Sequence, residues 1–133
     1  MILLDTTFLI DILKKRSNAV RKSKDIENRE VLATTYINVY ELLLGVYSLK
    51  NINHEGKLAE ADILLEKLEI LGLDKNSAIT SAKVGGDLTL KGQIVGDMDN
   101  MIAGIALSNG ISTIVSRDKE HFSRIKGLKV ETY

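Results

Sequence analysis

The chain has 133 residues, 44% of them hydrophobic and 27% charged, with eighteen basic and eighteen acidic side chains that cancel to zero net charge. That length suits one domain over residues 1–133, burying roughly two-thirds of the surface an unfolded chain exposes. Zero net charge excludes indiscriminate polyanion binding while permitting a local patch, and the absence of cysteine excludes a disulfide framework, a thiol nucleophile and cysteine-ligated zinc.

Met1–Leu4 is continuously apolar and reads as a buried strand, with Thr6 and Thr7 placed to cap a helix over about Phe8–Lys15. Asp5 and Asp11 interrupt what would otherwise pass for the apolar core of a signal peptide. A charged helix around Ser17–Asn28 precedes a strand near Val31–Thr34. Tyr36–Leu49 is apolar almost all round, which predicts a buried helix. The window Val31–Leu49 contains Glu41 and divides into strand plus helix, so no membrane span is expected. Together with the lack of cysteine, this suits a cytoplasmic protein.

Glu55–Leu68 is amphipathic, with Leu58, Ala61, Leu64, Leu65 and Leu68 at helical spacing. A short strand at Glu69–Leu71 leads to a helix over Ser77–Lys91, weakened or broken at Gly85-Gly86. A helix over Met98–Ser108 stops at Asn109-Gly110. A strand over 112–116, a short helix over Lys119–Ile125 and a strand over 128–132 complete the chain. Strands alternating with helices predict an α/β fold with a parallel sheet covered on both faces. In such sheets ligands bind beyond the carboxyl ends of the strands, where Asp5 and Asp118 are expected.

Four carboxylates occupy unusual places. Glu41 is the only charged side chain between Glu30 and Lys50. It either reaches the surface, pairs with a distant cation or faces a metal, because a buried carboxylate left alone costs several kcal/mol by order of magnitude. Asp97 suits the cap of the helix beginning near Met98, whereas Asp99, one turn in, is not needed for capping. Asp118 suits the cap of the short helix after it. Taken together, Asp5, Glu41, Asp99 and Asp118 form an all-oxygen set suited to Mg²⁺ or Mn²⁺, with Thr6 able to add a hydroxyl or orient Asp5.

Other constellations fail. Neither nucleotide-binding glycine motif occurs, and His54 and His121 are too few and too separated for zinc, so His121 beside Phe122 is assigned a structural role. Seven of the eighteen basic residues fall between Lys14 and Arg29. They are either a solvated helix face or, beginning with Lys14, Lys15 and Arg16, a track for an RNA backbone.

The segments "MILLDTTFLID", "NVYELLLG", "KGQIVGDMDNMIAGIALSNG" and "TIVSRDKEHFSRIKGLKV" resemble, in order and from end to end, the PIN-domain ribonucleases, and among them the VapC-type toxins. The resemblance implies a three-layer α/β/α domain with a central parallel sheet that acts as an endoribonuclease on single-stranded RNA, leaving a 5′-phosphate and a 3′-hydroxyl. It also implies homodimers that pair with a small antitoxin protein. Asp5, Glu41, Asp99 and Asp118 match the family's acidic quartet, and Asp97 ranks fifth. Asparagine is often seen where this chain carries Asp118. Two alternatives stand beside this reading: a Mg²⁺-dependent phosphatase with Asp5 as nucleophile, which lacks the second aspartate such enzymes place two residues on, and a non-catalytic domain that keeps the fold.

Overall fold

A computed structural model describes residues 1–133 and contains five strands and seven helices. In chain order they are β1 (Ile2–Leu4), α1 (Thr6–Leu13), α2 (Ser17–Glu27), β2 (Leu32–Thr35), α3 (Tyr36–Tyr47), α4 (His54–Leu65), β3 (Glu69–Leu71), α5 (Lys75–Leu90), α6 (Asp97–Ser108), β4 (Thr113–Val115), α7 (Lys119–Ser123) and β5 (Lys129–Glu131). The strands form one parallel sheet in the order β3-β2-β1-β4-β5. Leu3 pairs with Ala33 on one side and Ile114 on the other, which places β1 at the centre.

Side-chain alternation along β1 divides the core in two. Leu3 joins Leu88, Ile102, Ala106 and Phe122 on the face covered by α5, α6 and α7. Ile2 and Leu4 join Phe8, Leu9, Ala19, Leu42 and Leu65 on the face covered by α1 to α4. The sheet is thus covered on both faces, which is why its central strand β1 is a continuous apolar run rather than an alternating one. No helix is long and apolar enough to cross a membrane.

From β1 the chain builds β2 and β3 to one side, then returns to place β4 and β5 on the other. The carboxyl ends of β1 and β4 therefore flank the point where strand order reverses, and a crevice opens there in such sheets.

Three local expectations are corrected. Thr6 and Thr7 lie inside the first turn of α1, and Asp5 is the N-cap residue, although its carboxylate makes no capping bond. Helix α5 runs unbroken through Gly85-Gly86. Helix α3 is not buried all round: only Asn38, Leu42 and Val46 are buried. Tyr36, Tyr40, Leu44 and Tyr47 form an exposed stripe, each about half open to solvent. The helix meets the rest of the chain along one side only, so its outer apolar residues have nothing to pack against.

Candidate active site

Each of the four acids is carried by a different element at the β1/β4 crevice. Asp5 ends β1 and is 4% exposed. Its Oδ1 accepts from Asn38 Nδ2 at 3.2 Å. Its Oδ2 accepts from Ser116 Oγ at 2.6 Å and Thr7 Oγ1 at 2.9 Å. Three donors spread over both oxygens fix the orientation of this carboxylate. Glu41 leans in from α3, where its Oε2 accepts from Thr6 Oγ1 at 2.5 Å. Asn38 Nδ2 also donates to Thr6 Oγ1 at 3.0 Å, so one buried amide positions both Asp5 and the threonine that holds Glu41.

Asp99 projects from the first turn of α6 and is half-buried. Asp118 caps α7 as expected, accepting from His121 N at 3.2 Å. The cap uses Oδ1. The other oxygen, Oδ2, lies 2.8 Å from His121 Nδ1, which is itself 3.3 Å from Asp99 Oδ2. Ligand atoms of Asp99, Asp118 and His121 all fall within 4.8 Å of one another, a spacing that fits one metal ion.

The acids lie close enough for their charges to act on one another. Burial raises the Glu41 carboxyl above its usual range, and the Asp5 and Asp99 charges add to this against the Thr6 hydrogen bond. Burial likewise raises Asp99, reinforced by Asp5 and Asp118 and opposed by His121.

The PIN domain family matches residues 2–128. The chain belongs to that family. It is of the VapC type: it is 30% identical to the tRNA(fMet)-specific endonuclease VapC of Salmonella typhimurium, over 98% of this chain and 96% of that protein. It is 28% identical to ribonuclease VapC2 of Haemophilus influenzae over the same shares. Among solved structures it superimposes on VapBC2 of Rickettsia felis, bound to a DNA fragment from its promoter, with a TM-score of 0.89, 26% identity and coverage of 100% of this chain and 99% of that one. Against DNA-bound VapBC of Salmonella typhimurium the TM-score is 0.85, with 98% and 96% coverage.

In this PIN domain Thr6 donates to Glu41 and accepts from Asn38, which itself reaches Asp5. Asp97 does not join the acids. Gly96 is the N-cap of α6, and Asp97 is exposed on its first turn, lining a cleft with Gly86, Ile94 and Asn100. Of the basic trio, Lys14 lines an apolar groove with Leu13 and Leu42, and Lys15 takes a left-handed φ of 55°. Arg16 alone is ion-paired, to Asp11.

Four residues of the site escaped the sequence reading: Thr7, Asn38, Ser116 and His121. Asn38 lies one turn before Glu41 on the same helix face, a spacing that was available to find it. Ser116 is the last residue before the Arg117-Asp118 pair. The structural role assigned to His121 is corrected, because the short α7 turns its ring toward Asp99 and Asp118.

Proposed function

We propose that this PIN domain is a metal-dependent endoribonuclease that cleaves single-stranded RNA, and that it acts in the cytoplasm as the toxin of a VapBC-type pair. The observation that carries the reading is charge without compensation. No lysine or arginine pairs with Asp5, Glu41, Asp99 or Asp118, and only His121 faces two of them. Such a cluster calls for a cation, and its oxygens suit Mg²⁺ or Mn²⁺. Asp5 and Asp99 would hold the ion, with Glu41 and Asp118 ligating directly or through water.

Such an ion, when bound, would lower the pKa of a coordinated water and offset negative charge developing on the leaving oxygen. The protein supplies placement. Ser116, Thr7 and Asn38 lock the Asp5 carboxylate, and Thr6 aims Glu41. His121 Nδ1 lies between Asp99 and Asp118 and limits their mutual repulsion when it carries a proton. Asp5 engages three donors through both its oxygens, which makes it a poor covalent nucleophile and disfavours the phosphatase reading. Lys14, Lys15 and Arg16 form the approach surface for RNA.

Two further features support the toxin reading. The exposed stripe of α3 is an apolar patch of the kind that marks protein contacts. An apolar groove of about 270 Å³ between α1, α3 and α4, lined by Leu13, Leu42, Val46 and Leu49, is shaped for a side chain of a partner such as the antitoxin. The stripe suits a homodimer.

The test is cleavage of single-stranded RNA by the purified chain with Mn²⁺, with EDTA, and by Asp99→Asn, alongside a phosphate monoester substrate. RNA cleavage that needs Mn²⁺ and Asp99 supports the reading. Cleavage that persists in excess EDTA rejects the metal mechanism, and turnover of the monoester alone restores the phosphatase.

A further inference from the structure

Beside the acidic crevice lies a second charged arrangement, of which only Arg16 has been given a role, in the approach surface. Asp11, on α1, has a side chain only 2% exposed, yet it faces two arginines. Arg16 Nε lies 2.9 Å from its Oδ1, and Arg117 Nε lies 2.9 Å from its Oδ2. Tyr133 donates its hydroxyl to Oδ2 at 2.7 Å. The phenol alone makes a hydrogen bond to this carboxylate, and both arginines meet it as ion pairs. The second arginine leaves the cluster with an excess positive charge.

Both guanidiniums are more than half exposed, at 55% and 53%. Each engages Asp11 through Nε alone, and neither has a protein partner for its two terminal nitrogens. Both arginines line an open cleft of about 610 Å³, together with Asp11, Ser17 and Asn18 and with no hydrophobic residue. The N-terminus of α2 opens into the same cleft without an N-cap side chain; Ala19 N donates to Asn18 Oδ1 at 2.9 Å, and the Ser17 and Asn18 N–H groups are left free. The cleft is tied to the acids: Arg117 N donates to Thr7 Oγ1 at 3.1 Å, and Thr7 Oγ1 donates to Asp5 Oδ2. Arg117 is also the residue next to Asp118.

We propose that Arg16 and Arg117, braced on Asp11, bind a backbone phosphate of the RNA chain on one flank of the scissile phosphate. A phosphodiester offers two non-bridging oxygens and one negative charge, which match two guanidinium edges preset by a buried carboxylate. The all-polar lining favours a sugar-phosphate chain over a protein segment, which would bring apolar anchors. Such a contact fixes the register of the strand over the metal site without reading its sequence. The inference rests on the ribonuclease reading.

The test uses the full chain. Asp11→Asn/Arg16→Gln/Arg117→Gln removes the buried charge together with its partners, so the fold has no orphaned carboxylate. Binding of a fluorescent single-stranded RNA is measured in EDTA across salt concentrations, and kcat and KM in Mn²⁺. The variant is expected to bind several-fold more weakly, to lose about 0.7 from the salt slope for each phosphate contact, and to raise KM more than it lowers kcat. In the wild type, RNA should protect Arg16 and Arg117, but not Arg21, from phenylglyoxal modification read by mass spectrometry, an observation that needs no variant to fold. A folded triple variant with unchanged affinity and slope, or equal modification of Arg16 and Arg117 with and without RNA, overturns the subsite. A wild type that cleaves RNA while those arginines stay unprotected rejects the subsite alone. A wild type that neither binds nor cleaves RNA removes the ribonuclease reading and the subsite with it.

Discussion

Thr6 and Glu41 are joined by a hydrogen bond of 2.5 Å that ties the first turn of α1 to the middle of α3. It is the one interaction that opposes the upward push on the Glu41 carboxyl. Thr6→Val should therefore move the acid limb of the pH–rate profile to higher pH, because Glu41 must ionise to assist a cation. Thr6→Ser restores the donor and should return the limb to its wild-type position. A limb that ignores both substitutions would show that the bond does not govern Glu41.

Asp5 and Asp99 should respond in opposite ways to loss of charge. Asp99 is raised by burial and by Asp5 and Asp118, so in EDTA Asp99→Asn should melt no lower than wild type. A carboxyl raised in the folded state retains its proton while the unfolded one has lost it, so wild-type stability falls as pH rises through that interval. The advantage of Asp99→Asn should grow accordingly with pH. Asp5→Asn instead disrupts three accepted hydrogen bonds and should melt lower, by roughly 1–3 kcal/mol. Mn²⁺ should raise the melting temperature of wild type and do less for either variant. Melts with EDTA and with Mn²⁺ across pH check all of these.

Glu131 carries a stability effect unrelated to the site. Arg29 Nη2 at 2.7 Å and Lys22 Nζ at 2.6 Å join α2 to the end of β5, and these hydrogen bonds hold the Glu131 carboxyl down to about 2. A depressed folded value means that the stabilisation is present above the ordinary carboxylate range and is lost as pH falls toward about 2. Glu131→Gln should lower the melting temperature at neutral pH, and the gap should close on acidification. A gap independent of pH would assign the loss to packing.

The junction of α5 and α6 offers a paired test with two glycines. A Cβ on Gly104 would sit 2.0 Å from Ser81 Oγ and 2.6 Å from its backbone N, so the helices must part. Gly104→Ala should cost about 1–3 kcal/mol or more. Because α6 carries Asp99, it should also reduce activity. On Gly85 the nearest atom would be Asn100 Nδ2 at 3.0 Å, a side-chain end able to move. Helix propensity favours alanine by about 1 kcal/mol, so Gly85→Ala should be close to neutral in chemical denaturation.

Hydrophobic period was enough to place every strand and helix, because a sheet covered on both faces writes its strands as short apolar runs. It was not enough for α3, since an apolar residue is free to remain outside when no partner in the chain reaches it. The four acids were legible by position: Glu41 interrupts an apolar helix, and Asp5 and Asp118 follow strands. Their supports were not. Asn38 looks like an ordinary helix-start residue, and it does close a capping box with Thr35. Nothing in one dimension reveals that its amide also reaches Asp5 thirty-three positions away. His121 was set aside because its partners are brought to it by the fold. Asp97 read as a cap, whereas the chain places Gly96 there and leaves Asp97 on the outside of the turn.

The central position of β1 has a consequence for how the protein is made. Ile2–Leu4 pairs with β2, which is synthesised early, and with β4, which is synthesised near the end. Until Thr113–Val115 is free to pair, β1 has a bare edge on one side, and Ser116, Asp118 and His121 are not yet in place. A nascent chain therefore carries Asp5 and Glu41 but no complete acidic crevice. Without β4 the crevice has neither the Ser116 bond to Asp5 nor the Asp118–His121 pair beside Asp99, and a chain cut short of β4 should be inert.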